Sequence, residues 1–459
     1  MLNYTLEDTI IAASTPPGYG GIGIIRLSGK DALKIAKRLF KPKRARARIL
    51  PRQALFGNLI DLEKNEAFDE AYLLYFPAPH SYTRENVVEI SCHGSPAVEE
   101  EVLRLGILAG ARHARPGEFT LRAYLSGRLD IIRAEAVDNL IRAASIKTAK
   151  MAFSQLDGNL SKKISGLRAR NIDLLSQIEA SIEFPDEKLQ ITPEKIADSL
   201  EKTIEYLDDL VSSYRAGKAL LEGVTLAIMG RTNVGKSTLF NTILEEERAI
   251  VTPFPGTTRD YLKEKIKIKD TFFNLVDMAG LGKPSSAIEK EGIRRGKKIA
   301  SEADGLLIML DASRKENSED LALIEEFPDK KALLVFNKID LRRKMDVRGI
   351  KKRFHRLSAL EISALKGTNL GKLKGKLFEV FSPKFEDREE VIFHQRQKLL
   401  LEEALGHFRK GLKLLLDGHP EEFYAEEIRK TIPIIGQLTG DIRVDEVIER
   451  IFSRFCVGK

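Results

Sequence analysis

Apolar residues in this chain repeat with two different periods, and the change between them divides it. Over the first ~120 residues short apolar runs alternate with turn residues. Thr9–Ala13, Gly23–Leu27, Ala71–Phe76 and Val87–Ile90 predict strands, and Asp31–Phe40 and Pro96–Leu105 predict helices, an α+β module. From Asp130 the spacing becomes helical. Ile164, Leu167, Leu174, Ile178 and Ile182 share one face of a helix that stops at Phe184-Pro185-Asp186. A second helix starts with Thr192 as N-cap, Pro193 at its first position and Glu194 in its first turn. Its stripe is Ile196, Leu200, Ile204, Leu207, Val211 and Tyr214. Buried-strand runs then occur at Val224–Met229, Phe272–Val276 and Ala332–Phe336. Helical spacing returns at Leu401, Leu405, Phe408, Leu412 and Leu415 and ends at Asp417-Gly418-His419-Pro420.

A helix with one apolar face needs a partner to bury it. The simplest arrangement packs the helices before and after the central segment into one bundle. The expected organisation is an α+β domain at 1–122, a helical domain in two parts at 123–220 and 381–459, and an inserted P-loop α/β domain at 221–380. There is no internal repeat and no low-complexity tract.

The central segment carries chemistry. Gly230-Arg231-Thr232-Asn233-Val234-Gly235-Lys236-Ser237 follows the Val224–Met229 run and precedes Thr238-Leu239-Phe240-Asn241, which reads as helix. Such a strand–loop–helix offers backbone N–H groups and a positive helix end to phosphate oxygens. Lys236 can reach the β- and γ-phosphates and Ser237 can ligate Mg²⁺.

Three further elements follow in order. Asp277-Met278-Ala279-Gly280 supplies a carboxylate for Mg²⁺ through water and a glycine that approaches the γ-phosphate. Asn337-Lys338-Ile339-Asp340 follows a buried strand, and the Asp340 carboxylate can accept from guanine N1–H and the 2-amino group together. Adenine offers neither donor, so the ligand is GTP. Ser363 and Ala364 belong to Glu361-Ile362-Ser363-Ala364, which resembles the loop that supports the base. Thr258, in Gly256-Thr257-Thr258-Arg259-Asp260, is the expected second hydroxyl on Mg²⁺. Leu281 stands where Ras-type enzymes place a water-orienting glutamine. Glu289 is the candidate replacement, against the plainer reading of a charge at a helix start. Asn233 and the polar stretch Thr252-Pro253-Phe254-Pro255-Gly256-Thr257 can wrap a monovalent cation beside the phosphates, with Arg259 as the competing positive charge.

Composition changes this picture little. The chain has 459 residues and a formal net charge of +8, which permits a polyanionic partner without requiring one. Its densest cationic stretch, Lys41 to Arg48, is either a solvated loop or an RNA-phosphate contact. Two distant cysteines, Cys92 and Cys456, exclude a disulfide framework or a paired-cysteine metal site. No signal peptide or membrane span is visible, and a soluble cytoplasmic protein is expected. His93 reads as structural.

These residues together resemble the tRNA uridine-modification GTPase family, over essentially the whole chain. Asp8–Ala13 with Thr15–Gly29 is similar to the family's opening signature. Arg115–Thr120, Arg122-Ala123, Leu129-Asp130 and Ala134–Ala136 resemble its second, and Phe455-Cys456-Val457-Gly458-Lys459 its terminal one. The resemblance implies an N-terminal domain that binds a tetrahydrofolate derivative (5-formyl or 5,10-methylene) and dimerises, a helical domain and an inserted G domain. It implies a homodimer working with an FAD-dependent partner, MnmG, to add a carboxymethylaminomethyl-type group to C5 of the wobble uridine of certain tRNAs. K⁺-dependent pairing of G domains would activate hydrolysis. By the same resemblance Arg26, Glu89, Arg128 and Lys459 would contact folate. Asn233, Thr252, Phe254 and Thr257 would hold K⁺, and Glu289 matches the catalytic glutamate in its spacing from Asp277. The chain departs from the family at Arg128, where lysine is common, at Thr232 (often proline) and at Met278 (often threonine). Cys456 is assigned a site-lining role. A ribosome- or RNA-assembly GTPase without carbon chemistry is the rival class, and a dimer scaffold with a switch-like G domain a third.

Overall fold

The computed structural model describes residues 7–44, 47–143, 145–184, 191–247, 263–269, 271–277, 287–382, 390–442, 445–453 and 455–458. The chain divides into two compact units. One comprises Met1–Ile141, Ala152–Asp208 and Leu399–Lys459, the other Arg142–Met151 and Asp209–Lys398.

The first unit opens with β1 (Ile10–Ala13), β2 (Gly20–Ser28), α1 (Ala32–Leu39), β3 (Phe40–Pro42), β4 (Leu55–Ile60), β5 (Ala67–Phe76), β6 (Val87–Gly94), α2 (Pro96–Leu108) and β7 (Arg112–His113). The strands form one sheet in the order β3-β4-β5-β6-β2-β1-β7, antiparallel except where β7 joins β1. Alternation along β2 and β6 sends Ile25, Leu27, Val88 and Ile90 to one face, where Ile35, Leu39, Val102 and Leu105 of α1 and α2 cover them. β3 and β4 carry little sequence signal, because β3 has three residues and β4 is interrupted by Gly57 and Asn58. Gly57 is needed there: a Cβ would lie 2.5 Å from the Phe40 ring and the Lys41 carbonyl.

Helices follow as α3 (Glu118–Leu125), α4 (Ile131–Ile141), α5 (Ile146–Leu156), α6 (Asn159–Glu183) and α7 (Pro193–Glu222). The stripe expected to end at Phe184 is α6, whose last turn hands its Ala180 carbonyl to the Phe184 N–H. α7 starts at Pro193 as its capping signals predict, and runs beyond Tyr214 to Glu222.

The second unit continues with β8 (Val224–Met229), α8 (Lys236–Glu247), β9 (Lys263–Ile268), β10 (Thr271–Asp277), α9 (Ala287–Glu302) and β11 (Gly305–Asp311). It closes with α10 (Ser318–Glu325), β12 (Ala332–Asn337), α11 (Val347–Arg353), β13 (Ser358–Glu361) and α12 (Leu370–Phe381). The sheet order is β13-β12-β11-β8-β10-β9, parallel throughout except for edge strand β9. Helices on both faces explain why β8, β11 and β12 read as unbroken apolar runs. One apolar layer holds Leu226, Ile228, Leu239, Ile243 and Leu373, and the other Met229, Leu306, Ile308, Leu334 and Phe336. This unit is wider than 221–380, because Met151, Leu220, Leu221 and Phe393 form a small apolar cluster of their own within it.

The chain ends with α13 (Gln395–Leu416), α14 (Glu421–Thr439) and α15 (Asp445–Phe452). Within the first unit α14 packs along α6. Ile448, Phe452 and Phe455 join Leu121, Tyr124 and Ile131 in one core. The C-terminal segment therefore lies against the opening domain. The Gly117 N–H donates to the Cys456 carbonyl at 3.2 Å, and Ser14 Oγ to the Gly458 carbonyl at 3.2 Å.

Candidate functional site

The carboxyl ends of the parallel strands in the second unit are where such sheets bind ligands. Gly230 and Gly235, at φ 156° and 98°, and Asn233, at φ 66°, turn the chain from β8 into α8. A side chain at Gly235 would press on the Asn337 amide, 2.3 Å from a Cβ. Lys236 is buried and donates to the Gly230 and Arg231 carbonyls at 2.9 and 3.0 Å, so its ammonium lies within the loop. Burial pushes its pKa down, opposed by the Asp277 charge. Ser237 Oγ donates to Asp277 Oδ2 at 3.0 Å. Asp277 Oδ1 is buried and has no hydrogen-bond partner among the described residues. An orphaned carboxylate oxygen beside a hydroxyl suits a hard divalent cation such as Mg²⁺.

The residues expected at the base converge on the same loop. Asn337 donates to the Val234 carbonyl at 2.8 Å and accepts from the Ala364 N–H at 2.9 Å. Lys338, at φ 66°, donates to the Asn233 carbonyl at 2.6 Å and to Asp311 at 2.7 Å. Ser363 is fully buried and donates to Asp340 Oδ1 at 2.5 Å, which fixes the orientation of that carboxylate. Two participants escaped the sequence reading. Asp311 ends the buried run of β11, and although burial raises its pKa, bonds from Lys338 and Ser313 hold it below the ordinary value. Thr242 of α8 reaches the Ala364 carbonyl at 3.1 Å. The buried run ending in Asp311 was a legible signal, whereas nothing singled out Thr242.

Thr238 is exposed at the start of α8, and Glu289 is on the first turn of α9 with its side chain outside the described residues. Thr252, Pro253, Phe254, Pro255, Gly256, Thr257, Thr258, Met278, Ala279, Gly280 and Lys459 are also outside them.

A second cluster forms in the first unit, where β2, β6 and α3 meet. Arg26 gives two bonds to Glu89 Oε1, at 2.9 and 2.7 Å, and a third to the Gly458 carbonyl at 3.4 Å. The guanidinium of Arg128 is 4.7 Å from the Tyr82 ring centre and donates to the Tyr82 carbonyl at 2.8 Å. Arg26 is 5.8 Å from the same ring and 5.7 Å from that of Phe119. Arg26, Glu89 and Arg128 are thus assembled around Tyr82, a residue that no sequence pattern singles out. Burial pushes the Tyr82 phenol up, against the pull of Thr120 and both arginines. Behind it, buried Arg122 bonds Asp8, Glu85 and Glu118. Burial raises Glu118, but bonds from Arg112, the Arg115 N–H and Arg122 outweigh it and hold the carboxyl low.

A largely parallel sheet with a glycine-turned loop between β8 and α8, tied to Asn337 and Lys338, has the build of a P-loop GTPase. The wider comparison is more specific. The model described as the MnmE helical domain matches residues 131–456, and that of the GTP-binding protein TrmE N-terminus matches residues 9–128. The tRNA modification GTPase MnmE of Aquifex aeolicus is 40% identical over 464 residues, spanning 99% of this chain and 100% of that protein. The namesake from Natranaerobius thermophilus is 37% identical over 461 residues, again 99% and 100%. Among solved structures, Aquifex aeolicus Era bound to GDP.AlF4- aligns over 40% of this chain and 67% of its own at 27% identity, with a TM-score of 0.29. The chain belongs to the tRNA modification GTPase MnmE family and is a GTP hydrolase. Among the described residues no helix is long and apolar enough to cross a membrane.

Proposed function

We propose that this chain hydrolyses GTP in a K⁺-dependent cycle and uses it to drive modification of the wobble uridine of certain tRNAs in the cytoplasm. The carrying observation is the convergence of Lys236, Asn337, Lys338 and the Ser237–Asp277 pair on one loop. GTP binds with its base on Asp340 and its phosphates against the Val234–Thr238 backbone and Lys236. Water attacks the γ-phosphorus in line, the bond to the β,γ-bridging oxygen breaks, and GDP and phosphate leave. Ser237, Thr258 and, through water, Asp277 would hold Mg²⁺, whose charge would offset the negative charge of the phosphates. Asn233, Thr252, Phe254 and Thr257 are assigned to K⁺, and Glu289 to orienting the water.

Arg26, Glu89, Arg128 and Lys459 are assigned to a tetrahydrofolate derivative, the carrier of the one-carbon unit. The fit rests on Glu89: both Arg26 bonds fall on Oε1, which among the described residues leaves Oε2 for the N–H groups of a pterin edge. Tyr82, part-exposed beside the two arginines, offers a ring edge to a flat ligand. A homodimer and the FAD-dependent partner complete the assembly, which adds a carboxymethylaminomethyl-type group to C5. Nucleoside mass spectrometry on tRNA from cells lacking the gene tests this reading. Loss of the C5-modified wobble uridine is expected, and an unaltered nucleoside profile refutes it.

A further inference from the structure

We infer that an open groove between α6 and α7 in the first unit is an RNA-backbone site, with Tyr206 as its base-stacking wall. The inference rests on reading the chain as a tRNA-modification GTPase and deepens it by placing the tRNA contact. The groove has a volume of about 570 Å³ and is lined by Lys162, Lys163, Gly166, Arg170 and Tyr206. From Asn159 to Ile172 helix α6 carries Lys162, Lys163, Arg168 and Arg170 and no acid. Arg168 is turned toward α14, where it meets the Ile432 carbonyl at 3.4 Å and Asp441 at 3.9 Å. Lys162 and Arg170 are exposed and form no ion pair among the described residues.

Lys162, Gly166 and Arg170 are four residues apart in turn, so they share one helix face in steps of about 6 Å. Gly166 is in a helix interior, where glycine is unfavourable. No close neighbour demands it: a Cβ would meet nothing nearer than Arg170 Nη1 at 3.7 Å. Its effect is to keep the floor open between two cations. The half-buried Tyr206 ring stands beside them, and Asp208, two residues further on, is taken up by Arg409 at 2.5 and 2.7 Å. Cations in a row along a trough with an aromatic wall are what a nucleic-acid strand uses, phosphates on the cations and a base on the ring. An acidic protein segment would use the charges and leave the ring without a role.

The test titrates the full-length chain with an unmodified tRNA transcript by fluorescence anisotropy across a KCl series. In the variant K162Q/R170Q, the log–log salt slope should fall by about 1.5 and affinity drop roughly tenfold or more, as two phosphate contacts are lost. Tyr206→Leu should weaken binding at least about fivefold while Tyr206→Phe binds as wild type. Gly166→Leu keeps every charge but fills the floor, and should also lose affinity. GTP turnover in each variant should match wild type, which keeps the groove and the nucleotide site separable. Unchanged tRNA affinity and slope with normal turnover overturns the inference and leaves the GTPase reading standing. If the double variant instead loses only its affinity for a poly-glutamate peptide, the groove belongs to an acidic protein and the inference is also overturned. A wild-type chain that holds no tRNA overturns it together with the proposed tRNA role.

Discussion

Asn337 at the end of β12 donates to the Val234 carbonyl at 2.8 Å, across 103 residues of sequence, and ties that strand to the loop between β8 and α8. Its amide oxygen accepts from the Ala364 N–H, so one buried side chain links three of the four expected nucleotide elements.

Asp340 should decide the base. In Asp340→Asn one acceptor becomes a donor, which opposes guanine's 2-amino group and suits the carbonyl of xanthine. GTP affinity should fall by roughly 10³-fold or more, and xanthosine triphosphate should become the better ligand. Competition titration with the two nucleotides reads this, and an unchanged preference for GTP would remove Asp340 from the base site.

Ser237 and Asp277 should act only through the divalent ion. Ser237→Ala is expected to cut GTP affinity about tenfold or more in Mg²⁺, as a charge-assisted ligand is lost, and to leave binding in EDTA nearly unchanged. Equal losses in both buffers would mean that the hydroxyl supports the loop instead.

The Arg26–Glu89 pair should govern folate without touching the nucleotide. Glu89→Gln keeps the shape, removes the charge that holds Arg26, and should weaken 5-formyltetrahydrofolate by about 10- to 100-fold. Calorimetry on wild type and variant checks it. A matching loss of GDP affinity would show general damage, and no loss at all would move the folate site elsewhere.

Reading the chain from its sequence worked best where local pattern and tertiary role coincide. The start of α7 at Pro193, the end of α6 and the apolar run of β8 were legible because caps and periodicity are local properties. β4 was not, since Gly57 and Asn58 disrupt the alternation and its place depends on the Phe40 ring packed above it. The phosphate loop, Asn337 and Asp340 announced themselves through spacing. Tyr82 did not, because its importance lies in standing between Arg26 and Arg128, a juxtaposition only the folded sheet creates. The extent of the second unit was equally hidden, as Met151 and Phe393 join it by packing alone.

Glu427 of α14 should make the first unit acid-sensitive. Burial alone would raise this carboxyl, but bonds to Lys410 at 2.8 Å, His407 at 2.7 Å and Lys430 at 3.1 Å outweigh it and hold it at about 2. A carboxyl depressed in the folded state stabilises above its unfolded value of about 4.3, and that contribution is lost as pH falls toward 2. Glu427→Gln should therefore cost on the order of 1–2 kcal/mol at pH 6, since Lys410 and Lys430 are solvent-exposed and their charges screened, with the gap to wild type closing between pH 4 and pH 2. Urea unfolding midpoints across that range test it, and a gap independent of pH would contradict the assignment.

Guanine selectivity is the claim on which hydrolysis, its coupling to tRNA and the residue roles all depend. Side-by-side calorimetric titration of the purified chain with GDP and ADP in Mg²⁺ measures it directly. The account predicts GDP binding at least ~10³-fold tighter than ADP, because adenine cannot supply the two donors that Asp340 is fixed to accept. Comparable affinities for the two nucleotides would contradict it.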